Sequence, residues 1–174
     1  MGRKYYGKIL LRLYKYHVQP GKKILHVCPR NLEVIEFLQP SKGVVVTEKN
    51  LRSKSRNIEV VEGNPQTIHL DDVFDYILIS DSIGSFEDIQ KVFENIRRSC
   101  KPETRVIISY YNYLWEPLLK AAETLGLKSR QKITSWLTSL DMENLLELAD
   151  FEVLKKTSRT LLPIKIPIIS HFLN

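Results

Sequence analysis

Short runs of β-branched and aliphatic residues, each bounded by turn formers and followed by a helix-like stretch, most narrow the folds open to this chain. Lys22 to Cys28 (KKILHVC), Gly43 to Thr47 (GVVVT), Ile58 to Glu62 (IEVVE), Phe74 to Ser80 (FDYILIS) and Arg105 to Tyr110 (RVIISY) read as five strands. Their apolar residues run on without alternation, as in parallel strands buried on both faces. Between them, residues 31–38 read as helical, and Ser85 with Asp88 reads as a cap opening a helix with the stripe Phe86, Ile89, Val92, Phe93 and Ile96. Pro102 is expected to act as a stop between that helix and the fifth strand. Trp115 to Leu125, closed by Gly126, and a stretch from Thr138 with Asp141 to about Ala149 complete the helical set, and Phe151 to Lys155 (FEVLK) reads as a sixth strand. Strands separated by helices need right-handed crossovers, which gives an α/β three-layer sandwich with a mostly parallel sheet. Ligands of such sheets bind beyond the carboxyl ends of the strands, here residues 28–32, 47–48, 63–65 and 80–84.

With 174 residues the chain has the length of one domain, taken as 1–174. Residues 1–19 form a basic amphipathic helix, with Tyr6, Ile9, Leu10, Leu13 and His17 on one side and Lys4, Lys8, Arg12 and Lys15 on the other, ended by Pro20 and Gly21. Residues 1–32 carry Arg3, Lys4, Lys8, Arg12, Lys15, Lys22, Lys23 and Arg30 with no acid, although the whole chain is only +6. That end could attract phosphate or an anionic membrane leaflet, while the favoured reading is a solvated helix face. No base-reading motif accompanies the charge, so nucleic acid is not expected. No apolar run reaches the ~18 residues of a membrane span. The two cysteines, Cys28 and Cys100, lack metal or disulfide spacing, so no metal site is expected and the expected compartment is the cytoplasm, with a membrane-peripheral position open.

The phrases GKKILHV, GVVVTEKN, VEGNPQTI, FDYILISDSIGSFEDIQKVFENIRRSCKPETRVIISYYN and LTSLDMENLLELADFEVLKK, in this order, resemble the Rossmann-like S-adenosylmethionine (SAM) methyltransferases, in the branch acting on small molecules and glycans. The resemblance implies a Rossmann-like fold and SAM as cofactor. It places the cofactor against Cys28, Pro29, Arg30, Thr47, Glu48, Gly63, Asn64, Asp81 and Ser82. The motif is degenerate. The acid that ends the family's first strand falls on His26, and the three loop glycines fall on Cys28, Arg30 and Leu32, while Pro29 removes a backbone N–H. The ribose-binding acid aligns with Thr47, with Glu48 beside it, and the position near the adenine amine is Asn64, after Gly63. Arg30 is expected to stand near the sulfonium, where like charges repel.

The acceptor is expected over the fourth and fifth strand ends, near Asp81, Ser82, Tyr110, Tyr111, Asn112, Tyr113 and Trp115. Asp81, Tyr111 and Asn112 are the candidate catalytic residues, with Asp81 orienting a hydroxyl or serving as base. The family closes its sheet with a seventh strand, and none is visible after Phe151 to Lys155. The expectation is therefore a fragment of a longer chain, or an open edge on the fifth strand completed by another domain or a homodimer. Two functional classes stay open: a SAM-dependent methyltransferase for a small-molecule or glycan acceptor, and a cofactor-free module of the same fold that binds or scaffolds.

Overall fold

The computed structural model describes residues 2–110 and 137–157, with residues 2–6 described by backbone alone. Its elements are α1 (Gly2–His17), β1 (Lys23–Val27), α2 (Glu33–Leu38), β2 (Lys42–Thr47), β3 (Ile58–Glu62), β4 (Phe74–Ser80), α3 (Ile89–Arg97), β5 (Cys100–Ser109) and α4 (Ser139–Leu148). The five strands form one parallel sheet in the order β3-β2-β1-β4-β5. The order reverses between β1 and β4, where Val27 lies beside Ile79, and this opens a crevice at their carboxyl ends. The fold is the α/β, Rossmann-like sandwich expected from the alternation of elements.

Side-chain alternation along each strand sorts the core into two clusters. Ile24, Val45 and Leu78 face Leu10, Tyr14 and Val18 of the α1 segment and Ile35 of α2. Leu25, Val46 and Ile77 face Val92, Phe93 and Ile96 of α3 and Met142 of α4. Tyr14, Phe74 and Phe93 have no exposed surface. At about 1.5–3 kcal/mol for each large buried side chain, these contacts hold short elements together that would not persist alone.

Three expectations are corrected. Phe151 to Lys155 is not a strand. Asp150 takes a left-handed φ of 58° and the Phe151 N–H bonds back to Leu146 O at 2.9 Å, closing α4. That turn drives the Phe151 ring onto Phe93, 6.4 Å between centroids, and residues 152–157 are exposed. The second correction concerns Ser85, which closes a 3-10 turn over Ile83–Ser85 rather than opening a helix. Phe86 is extended and buried, and Asp88 is the cap of α3, accepting from Lys91 N at 3.0 Å. Pro102, third, lies inside β5. The register jumps from Phe74↔Cys100 to Tyr76↔Arg105, and the extra residues form an irregularity in which Thr104 Oγ1 donates to Phe74 O at 2.6 Å. Proline is tolerated in such a bulge.

Among the described residues β5 pairs only with β4. The helix expected over 115–125 and the expected absence of a seventh strand after residue 157 fall outside the described residues.

Candidate functional site

The carboxyl ends of β1, β2, β3 and β4 bring together Cys28, Thr47, Glu48, Gly63, Asn64, Asp81 and Ser82. Parallel pairing decides this: Val27 is level with Val46 and with Ile79, and Thr47 with Glu62. Tyr111, Asn112, Tyr113 and Trp115 lie outside the described residues.

Two residues flanking the switch point take a backbone conformation that side chains disfavour. Cys28, directly after β1, has φ 46°, and Asp81, directly after β4, has φ 53°. Aspartate tolerates this region; for cysteine it costs about 1 kcal/mol or more. The turn that glycine makes easily is therefore kept at Cys28, anchored by its N–H on Val46 O at 2.8 Å. The Cys28 thiol faces the Glu48 backbone at the end of β2, and burial pushes its pKa up to about 11, so it stays protonated near neutrality.

Leu32 is buried in the cluster formed by α1 and α2, and Arg30 is exposed. Pro29 is buried.

Thr47 is 1% exposed, and its hydroxyl accepts from Lys49 N at 3.1 Å, so its side chain shapes the turn after β2. Glu48 beside it is exposed. Gly63 leaves room for its own chain: a Cβ there would come 2.7 Å from Ile68 Cδ1. Asn64 uses its Oδ1 to accept from Gln66 N at 2.8 Å, which folds the loop after β3. Asn95 of α3 bolts that loop down by donating to Pro65 O at 2.9 Å and Ile68 O at 2.5 Å. An apolar crevice lined by Val27, Val46, Pro65, Ile68 and Ile96 runs beneath it.

Ser82 is buried, and its Oγ donates to Val27 O at 3.3 Å, tying the end of β4 to the end of β1. Asp81 donates its N–H to Ser109 O at 2.9 Å and accepts from Ser109 Oγ at 3.0 Å. Its carboxylate is thereby oriented at the edge where β4 and β5 end. The Tyr110 hydroxyl bonds with Ser139 at the start of α4.

Tyr14, Ser80 and His26 join this edge from behind. Tyr14 of α1 is fully buried, with its hydroxyl 2.8 Å from Ser80 Oγ and 3.4 Å from Ser109 Oγ. His26 Nε2 is 2.9 Å from the same Ser80 Oγ. Burial alone pushes the His26 pKa down to about 3, so the ring is neutral. The apolar side read from the sequence, Tyr6, Ile9, Leu10, Leu13 and His17, leaves Tyr14 out, yet the structure buries Tyr14 with Leu10 and Val18. Among the described residues no group of histidines, cysteines and carboxylates has metal-binding geometry.

Residues 2–156 match a family model described as a methyltransferase domain. No curated protein matches the chain in sequence. Among solved structures, the chain superposes with a TM-score of 0.70 at 17% identity on a methyltransferase from a complex with the Haloferax volcanii Trm112 methyltransferase activator, over 90% of this chain and 73% of that one. A sarcosine dimethylglycine methyltransferase structure from Galdieria sulphuraria gives 0.63 at 16% identity, over 90% of this chain and 63% of that one. The N-methyltransferase NodS from Bradyrhizobium japonicum, solved with S-adenosyl-L-homocysteine (SAH), gives 0.53 at 14% identity, over 62% of this chain and 61% of that one. At these identities the likeness is one of fold. The chain spans roughly three fifths to three quarters of the length of these three structures.

Proposed function

The chain belongs to the methyltransferase-domain family, and from that premise we propose that it binds SAM at the carboxyl ends of β1 to β4 and methylates a small-molecule or glycan acceptor. The observation that carries this reading is the pair of left-handed residues, Cys28 and Asp81, on either side of the switch point. The left-handed turn at the end of β1 is made without glycine, Leu32 is buried in the cluster of α1 and α2, and Arg30 is exposed.

SAM supplies an electrophilic methyl group for an in-line displacement, a reaction that depends mostly on positioning. Glu48, exposed beside Thr47, offers a carboxylate for the ribose hydroxyls, and Cys28 and Pro29 pass the backbone alongside. Asp81, oriented by Ser109, holds an acceptor hydroxyl or takes its proton. Tyr111 and Asn112 stay in the proposal as acceptor-side residues.

Calorimetric titration of the protein with SAM and SAH tests this. Micromolar binding is expected, weakened about tenfold or more in Glu48→Ala, as for loss of a hydrogen bond to a charged group. Silence up to millimolar cofactor overturns the reading in favour of a cofactor-free module.

The proposal extends to partners. No ion pair with a described residue engages Lys8, Arg12 or Lys15 of α1, or Lys49, Arg52, Lys54 and Arg56 after β2, whereas Lys23, Lys42, Lys91, Lys101 and Lys156 each pair with a carboxylate. Leu11 and Leu51 pack on the same cluster, so helix and loop share one layer. With Tyr16 82% exposed among these cations, that layer suits an anionic lipid surface of a cytoplasmic membrane. One structural neighbour was solved with a protein activator; for this chain the proposed protein partner is a second copy at the β5 edge.

A further inference from the structure

The polar groups between α1 and the strand ends have a direction. Ser109 has one hydroxyl proton, and it goes to the Asp81 carboxylate at 3.0 Å. At the contact between Tyr14 and Ser109 the tyrosine is therefore the donor. Having given that proton away, Tyr14 accepts from Ser80 at 2.8 Å, and Ser80, its own proton spent, accepts from His26 Nε2 at 2.9 Å. His26 must then carry its proton on Nε2. The ring is neutral, so Nδ1 is bare, and Nδ1 is the buried ring atom with no hydrogen-bond partner. An orphaned lone pair is less costly than an orphaned N–H, which the reverse direction would bury.

We infer that Tyr14 is a positioning residue for the site: a one-way hydrogen-bond chain, His26 to Ser80 to Tyr14 to Ser109 to Asp81, makes the orientation of the Asp81 carboxylate depend on how α1 is seated. The role in methyl transfer rests on the functional reading of Asp81; the chain of donors does not. The network spans three strands and a helix 66 residues apart in sequence from Ser80, so it forms only when α1 is docked.

Nitrogen NMR of the His26 ring and carbon NMR of the Asp81 carboxyl test the inference without any ligand. Protonated Nε2 with bare Nδ1 is expected in the native protein, and a proton on Nδ1 overturns the direction. Tyr14→Phe keeps the ring and removes the donor. It is expected to shift the Asp81 carboxyl signal and to weaken SAH binding about fivefold or more, while the amide spectrum of α3 and β2 stays native. Ser109→Ala should reproduce this effect, and Ser109→Thr, which keeps the hydroxyl, should restore wild-type behaviour within about twofold. An Asp81 signal unmoved in Tyr14→Phe overturns the positioning role. Should the wild type bind no SAH, the functional reading fails, and the two NMR measurements still decide whether the chain exists.

Discussion

His26 makes the protein sensitive to mild acid. Its ring stays neutral when folded, with a pKa of about 3, whereas the unfolded chain takes up a proton near pH 6.5. Below that pH the unfolded state binds more protons, so stability is present above pH 6.5 and is lost as pH falls towards 3, by about 1.4 kcal/mol per unit from this one group. Urea midpoints measured from pH 7 to 5.5 should fall in the wild type and stay nearly level in His26→Gln. The two cysteines act at the other end of the scale. Burial pushes Cys28 and Cys100 up to about 11, so stability declines as pH rises from 9 through 11 and the unfolded thiols ionise first. Neither thiol has nucleophilic character at neutral pH. At the residue scale the sequence shows a segment after β1, residues 28–32, without glycine. It did not show that Cys28 keeps the left-handed turn or that Arg30 faces solvent, because both depend on how the turn meets β2.

At the scale of elements, local chemistry was readable wherever a short-range hydrogen bond sets a boundary. Thr138 and Asp141 form the reciprocal cap of α4 as their spacing predicts, with Asp141 N donating to Thr138 Oγ1 at 3.1 Å and Thr138 N to Asp141 Oδ2 at 2.8 Å. Thr138→Ala is expected to lower unfolding free energy by about 1 kcal/mol, read as a reduced urea midpoint with unchanged slope. The same motif misleads at Ser85 and Asp88, where burial of Phe86 against the sheet outweighs the local pairing and shifts the helix start to Asp88. Phe151 to Lys155 shows the reverse limit. Alternating apolar residues fit an edge strand, and the turn at Asp150 with the Phe93 contact sent the segment elsewhere. Residues 49–57, polar and basic, cross from β2 to β3 without a helix and close on β2 through Gly43 N to Asn57 O at 2.8 Å.

Across the whole molecule, charge is divided between the two helical layers. The layer of α1 and the 48–57 loop is basic, while residues 139–157 carry Asp141, Glu143, Glu147, Asp150 and Glu152 against Lys155 and Lys156. Vesicles of mixed phosphatidylcholine and phosphatidylserine should therefore retain the protein at low salt and release it at about 0.5 M salt, where charges are screened within a few ångströms. Lys8→Glu with Arg12→Glu should abolish retention, and Lys155→Glu should not. Retention by neutral vesicles, or none at all, removes the lipid-surface reading. Light scattering at micromolar concentration should report a dimer if a second copy covers β5, and a monomer there discards that partner. From the sequence alone came the class of fold, the order of the first five strands and the charged helix, because these follow from periodicity and connection rules that act over a few residues. The tertiary structure decided which side chains meet at that edge: Tyr14 reaches Ser80 and Ser109 across 66 and 95 positions of sequence, and hydrogen bonds of that span exist only once packing has brought α1 onto the sheet.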